Sequence, residues 1–116
     1  MATLICGSLA YDNIMTFEGR FREHILPEQV HILNVSFLVP TMRREFGGCA
    51  GNIAYSLHLL GGNARIMGAL GAIDAQRYMD RFAQLGLSTE NVLVVPDTYS
   101  AQAMITTDLE NNQIAA

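Results

Sequence analysis

A chain of 116 residues, half of them apolar, holds one domain with a real core and is too short for two. Its 7 basic residues stand against 11 acidic ones, for a net charge of −4, and they are scattered apart from Arg43-Arg44. This excludes a stripe fitted to a phosphate backbone, and with it nucleic acid as a partner.

In chain order, the first apolar run is Thr3–Cys6, closed by Gly7-Ser8, and it predicts a buried strand whose carboxyl end opens into a loop carrying Asp12. From residue 13 to 46, β-branched and aromatic residues alternate loosely with polar ones, punctuated by Gly19, Pro27 and Pro40, which predicts strands or extended arms. Gly47, Gly48 and Gly51 precede Ile53, Ala54, Leu57 and Leu60, whose spacing marks an amphipathic helix stopped by Gly61-Gly62. Residues 64–70 suit a second buried strand. Asp74 is placed to cap a helix with Tyr78, Met79, Phe82 and Leu85 as its apolar face and Gly86 as its end. Residues 92–95 and 101–107 read as further strands. The polar turn at 108–112 then leads into a returning strand that begins at Gln113. Strand, helix, strand and helix in alternation predict an α/β fold with a parallel sheet and right-handed crossovers. No repeat or linker divides the chain.

The longest apolar runs, such as residues 53–60, are interrupted by Tyr55, Ser56 and His58 and fall far short of the roughly 20 residues that span a bilayer. Residues 1–7 lack the positive region and cleavage site of a signal peptide, so a cytoplasmic protein with no membrane partner is expected.

The most informative stretch is FGGCAGN, residues 46–52, just ahead of the predicted helix. Paired glycines let a ligand approach the backbone, and the first turn of a helix offers unpaired N–H groups that bind oxygen atoms. It matches neither phosphate-loop pattern. The alternative is that the glycines only make a tight turn and Asn52 caps the helix. Asp12 follows a strand end, where open parallel sheets carry ligand groups, and its carboxylate can accept hydrogen bonds from two adjacent sugar hydroxyls. A solvated turn residue is the plainer reading of Asp12; Asn52, whose amide both donates and accepts, would complement it at a ligand. His24, His31 and His58 share no metal-ligand spacing, and Cys6 and Cys49 read as buried free thiols. Arg43-Arg44-Glu45 reads as a solvated strand edge, and Met67, Met79 and Met104 as core fillers.

Several motifs together resemble the phosphofructokinase-B or ribokinase-like kinases, and among them the bacterial adenosine kinases. These are GSLAYD at 7–12, GRF at 19–21, LPE at 26–28, SFLV at 36–39, GGCAGN at 47–52, GALGAIDAQRY at 68–78, and TTD at 106–108 followed by NQIA at 112–115. The resemblance implies a ribokinase-like α/β sandwich around a mainly parallel sheet, with a small β-sheet lid. Residues 1–12 and 47–100 would form the core, and 13–46 and 101–116 the lid strands. It implies that Asp12, Gly48 and Asn52 hold ribose-type hydroxyls, that Gly47 gives backbone access, and that Ser8 and Ser36 are further substrate-binding candidates. The expected activity is ATP-dependent phosphorylation of the hydroxymethyl group of a ribonucleoside, adenosine first, or of a sugar. ATP and Mg2+ would serve the full-length enzyme, and neither would be bound by this chain alone. The family's catalytic aspartate lies in a glycine-rich motif of the carboxyl-terminal half, which does not occur here; the chain is therefore expected to be truncated, inactive alone and prone to association. The resemblance departs at Gln102-Ala103, where related nucleoside kinases place an aromatic residue, and at residues 75–77, where the family's closing glycine is missing. A homodimer through the lid strands is expected in some members. The competing expectation is a non-catalytic binding or dimerisation module made by those strands.

Overall fold

The structure, a computed structural model, describes residues 1–116. Strands β1 (Thr3–Cys6) and β2 (Ala10–Thr16) come first, followed by two 3-10 segments, Phe21–Glu23 and Pro27–Ile32. Then come β3 (Thr41–Gly47), α1 (Cys49–Leu59), β4 (Ala64–Gly71), α2 (Ala75–Gln84), β5 (Ser88–Val95), β6 (Ala101–Thr107) and β7 (Gln113–Ala115). They form a three-stranded sheet in the order β1-β4-β5 and a four-stranded sheet in the order β3-β2-β6-β7. Two units result, one of Met1–Tyr11 with Phe46–Gln102, the other of Asp12–Glu45 with Ala103–Ala116.

In the first unit β1 and β4 are parallel, with Thr3 opposite Ala64 and Cys6 opposite Met67. β5 runs parallel to β4 with one extra residue between the Arg65–Ser88 and Met67–Asn91 pairs. Both helices pack on this sheet. Ile5, Ala64, Ile66 and Leu70 are buried with Ala54, Ala75, Tyr78 and Phe82, each large apolar side chain contributing about 1.5–3 kcal/mol by leaving water. Burial alternates along β4, so Arg65, Met67 and Ala69 point away from the helices. The strands expected to be buried are thus buried on one face only. Leu4, Met67 and Leu93 lie on the open face.

This one-sidedness corrects two expectations. Cys6 and Cys49 are free but exposed, Cys6 because it shares the open face with Met67, its Sγ 3.6 Å from the Met67 Sδ. Met67 and Met104 are half-exposed rather than core fillers, since no helix covers them; Met79 does pack against the core.

α1 also differs from its expected face. Ala50, Gly51 and Ala54 are its buried residues, whereas Ile53 and Leu60 are exposed. The small side chains are selected because the helix lies close to its neighbours: a Cβ on Gly51 would collide with the Tyr78 hydroxyl. Gly61, at φ +78°, ends the helix, with the Gly61 and Gly62 N–H groups donating to the His58 and Leu57 carbonyls. α2 has the expected apolar face of Tyr78, Met79, Phe82 and Leu85 and ends at Gly86, φ +65°.

In the second unit, β6 and β7 are antiparallel, with Ile105 opposite Ala115 and Thr107 opposite Gln113. The 108–112 turn is closed by Asn111 at φ +61°. Buried Asn13 accepts the Arg44 Nε–H at 2.9 Å, so Arg44 turns inward while Arg43 and Glu45, 3.9 Å apart, remain a solvated pair on the edge strand. Residues 13–46, expected as strands or extended arms, are strands at their ends, β2 to Thr16 and β3 from Thr41, whereas the middle makes the two 3-10 turns, the second opened by Pro27. Phe17, Phe21 and Phe37 pack with ring centroids 4.8–5.8 Å apart, and His24 meets Phe17 and Phe37 edge-on.

Candidate functional site

The glycine-rich stretch joins β3 to α1. Gly48 is the residue before the helix, at φ +87° and ψ 145°, a conformation open only to glycine, and a Cβ there would collide with the Ser8 carbonyl. Its own side chain cannot cap the helix. The loop after β1 does so instead: the Cys49 N–H donates to Ser8 Oγ at 2.9 Å and the Ala50 N–H to the Ser8 carbonyl at 3.0 Å. Two of the four orphan N–H groups of the first turn are thereby satisfied from a residue 41 positions away. Asn52 does not cap: it lies within the first turns of α1, exposed, with its N–H donating to the Gly48 carbonyl. The Gly48 N–H has no partner within the protein.

On its other side the loop rests on α2. Tyr78, 2 % exposed, donates its hydroxyl to the Gly47 carbonyl at 2.6 Å. The Tyr11 hydroxyl accepts the Tyr78 N–H at 3.2 Å and donates to the Asp74 carbonyl at 2.6 Å, bridging the first turn of α2. Phe46 meets the Tyr78 ring edge-on, centroids 5.0 Å apart, and lies 6.3 Å from the Tyr11 ring, while the Arg77 and Arg81 guanidinium groups lie 5.4 and 5.6 Å from its centroid.

Asp74 precedes α2 without capping it. Its carboxylate accepts the Ser100 N–H at 2.9 Å and the Gln102 Nε2–H at 3.0 Å, and Ser100 Oγ accepts the Gly71 N–H at 2.9 Å. The carboxylate is drawn from the helix end because buried Ser100 needs an acceptor for its N–H. Neither tyrosine is legible in the sequence as part of the loop's support, since hydroxyl partners 31 and 63 residues away leave no local signal.

The candidate residues divide between the two units. Ser8, Gly47, Gly48 and Asn52 belong to the first, where Ser8, Gly47 and Gly48 surround one loop. Asp12 and Ser36 belong to the second. Asp12, expected in a loop, lies instead within strand β2, half-buried, and no hydrogen bond or ion pair of the protein engages its carboxylate. Ser36 is exposed in the irregular segment before β3.

Comparison with known proteins bears on what such a site serves. Residues 12–116 match the model of the pfkB family of carbohydrate kinases. A nucleoside kinase of Methanothermobacter thermautotrophicus is 29 % identical over 113 residues, 97 % of this chain and 33 % of that protein. Among solved structures, the Burkholderia thailandensis nucleoside kinase in complex with inosine superposes with a TM-score of 0.81 and 74 % identity, over all of this chain and 35 % of that one. The Methanocaldococcus jannaschii nucleoside kinase, an archaeal member of the ribokinase family, gives a TM-score of 0.81 at 26 % identity, over 99 % of this chain and 36 % of that one. The chain therefore spans about a third of the length of these relatives. It has the ribokinase-like α/β fold, in part, and it belongs to the pfkB family of carbohydrate kinases.

Proposed function

We propose that this chain supplies acceptor-site and lid residues to an ATP-dependent kinase that phosphorylates the hydroxymethyl group of a ribonucleoside. The observation that carries the reading is the 74 % identity, over the whole chain, to a nucleoside kinase whose structure holds inosine. A purine nucleoside is the acceptor, with adenosine and inosine the first to test. Asp12 accepts hydrogen bonds from the ribose hydroxyls, and the Gly48 N–H donates to a ribose oxygen. Each offers a group that the protein leaves without a partner. Asn52 adds its amide, Ser8 and Ser36 are lesser contributors, and Gly47 gives the backbone access. Residues 13–46 and 101–116 act as the lid.

The proposal places ATP and Mg2+ outside this chain. There is no lysine to meet a triphosphate, and no three His, Cys, Asp or Glu side chains are grouped to hold a metal ion. The reading assigns both, and the base that takes the proton from the acceptor hydroxyl, to the remainder of the polypeptide. What this segment contributes is the positioning of the acceptor.

The test is ATP-dependent phosphorylation by the complete polypeptide carrying this segment, with adenosine, inosine and ribose compared. Turnover of nucleosides over ribose is expected; turnover of free sugars alone would defeat the reading.

A cytoplasmic location is part of the proposal; no helix is long and apolar enough to cross a membrane. A homodimer through the lid strands is part of the proposal: β3 and β7 are the two edges of the four-stranded sheet, and edge strands offer unpaired backbone groups. A purely monomeric sedimentation profile would remove it. Those same edges are all that favours a non-catalytic pairing module.

A further inference from the structure

We infer that Tyr78 is a positioning residue for the acceptor site: its hydroxyl fixes the shape of loop 47–51, and Tyr11 in turn fixes Tyr78. The inference rests on the nucleoside kinase reading above.

Three observations lead to it. Tyr78 meets the loop at both ends, donating to the Gly47 carbonyl at 2.6 Å and filling the space that a Cβ on Gly51 would occupy. The loop is thereby held between two supports, Ser8 on the Cys49 and Ala50 N–H groups and Tyr78 on Gly47 and Gly51. Gly48 stands between those supports, and its N–H is the group proposed to meet the substrate. Glycine is the least constrained residue, so two of them in succession keep a defined direction for an N–H only when their neighbours are tied down.

The tie does not end at Tyr78. Tyr11, wholly buried and next in sequence to Asp12, bridges the Tyr78 N–H and the Asp74 carbonyl, while the Asp74 carboxylate holds Ser100 and Gln102. The Tyr78 hydroxyl holds Gly47 at one end of the residue, and at the other its backbone N–H is held by the Tyr11 hydroxyl, which is itself bonded to the Asp74 carbonyl. Packing alone would be served by phenylalanine at either tyrosine position. Burying a hydroxyl costs free energy unless it is bonded, and both of these are bonded to backbone groups whose placement matters to the loop and to the first turn of α2. This also accounts for the third glycine of the GGCAG stretch, Gly51: it makes room for the Tyr78 hydroxyl and has no need to touch a ligand.

The test uses the complete enzyme with Tyr78→Phe, Gly51→Ala and the double variant. For Tyr78→Phe the KM for the nucleoside is expected to rise about five- to tenfold, the effect of one neutral hydrogen bond, with the KM for ATP unchanged. Hydrogen exchange is expected to accelerate in peptides covering 47–52 and nowhere else. Gly51→Ala should reproduce the rise, and the double variant should fall short of the product of the two, because the colliding oxygen has gone. Equal increases in both KM values with a lowered melting temperature, or an unchanged nucleoside KM, would overturn the inference in favour of a core role. Should the wild-type enzyme turn over no nucleoside, the proposed function itself fails. The exchange of 47–52 in Tyr78→Phe then still decides whether the hydroxyl fixes the loop, and unchanged exchange would overturn that as well.

Discussion

The Asp108 carboxylate accepts the backbone N–H of Phe21 at 3.0 Å, joining residues 87 positions apart in the chain. The same carboxylate accepts the backbone N–H groups of Glu110 and Asn112, each at 2.9 Å, and the Asn112 side chain. It therefore shapes the β6–β7 turn and fastens to it the start of the first 3-10 segment. Arg20 and Arg22 add ion pairs to Glu110 at 3.4 and 2.9 Å, exposed enough to contribute little.

Burial opposes the charge on Asp108, yet the hydrogen bonds from Phe21, Asn112 and Glu110 outweigh it and lower the carboxyl from its ordinary 3.8 to about 2. The unfolded chain therefore binds this proton at a higher pH than the folded one. The stabilisation is complete above about pH 4 and is lost as the pH falls through the folded value. Asp108→Asn is expected to lower stability at neutral pH and to flatten its decline between pH 4 and 2 (about two units) in urea titrations. A variant whose acid limb parallels that of the wild type would show that other carboxylates govern it.

Ser8→Ala removes the acceptor of the Cys49 N–H and leaves the Ser8 carbonyl bond to Ala50 in place. A loss of about 1 kcal/mol is expected from thermal unfolding, as for a capping residue, with Ser8→Thr recovering most of it. A larger nucleoside KM at unchanged stability would instead place the hydroxyl on the substrate.

Gly48→Ala should be far more damaging than Gly61→Ala. Both positions have positive φ, but a Cβ at 48 strikes the Ser8 backbone whereas at 61 it meets open space. The backbone term at 48 alone is about 1–3 kcal/mol, against about 1 kcal/mol at the helix end. Comparing the soluble yield and melting temperature of the two variants checks the order.

Asp12→Asn separates binding from folding. With no intramolecular partner to lose, the variant should melt within a few degrees of the wild type. Its nucleoside affinity in the complete enzyme should drop by about 10- to 100-fold, the effect of a charge-assisted hydrogen bond. Calorimetric titration with adenosine and with inosine measures this. Unchanged affinity would remove Asp12 from the acceptor site.

The open face of the parallel sheet carries Leu4 at 54 %, Met67 at 51 % and Leu93 at 65 % exposure. The 116-residue chain is therefore expected to self-associate at micromolar concentration, and Leu93→Lys to shift it towards monomer, as read by sedimentation velocity. Association that Leu93→Lys leaves untouched would point to the edges of the other sheet.

Much of the fold is legible in the chain because its signals are local. The ends of α1 and α2 are set by Gly61 and Gly86 in left-handed conformations. The β6–β7 turn is announced by its run of Asp and Asn, and the alternation of strands and helices points to a parallel sheet. The GGCAGN stretch stands out in the sequence because its turn needs glycine, Gly48 adopting a conformation closed to other residues. The partners of these groups were not legible. Asp74 stands where a helix cap should be and serves Ser100 and Gln102 instead, and Ser8 supplies the cap that Asn52 does not.

By itself the sequence determined the alternation of strands and helices from α1 to β5, the helix ends, the β6–β7 turn and the family resemblance, because helix ends, glycine conformations and apolar periodicity each depend on a few neighbouring residues. Only the tertiary structure decided which face of each strand is buried, which hydroxyl caps α1 and which tyrosine braces the glycine loop. The last two depend on groups brought together from 31 and 41 residues away. A hydrogen bond of that span has no periodicity to betray it, and it exists only once the chain has closed around it.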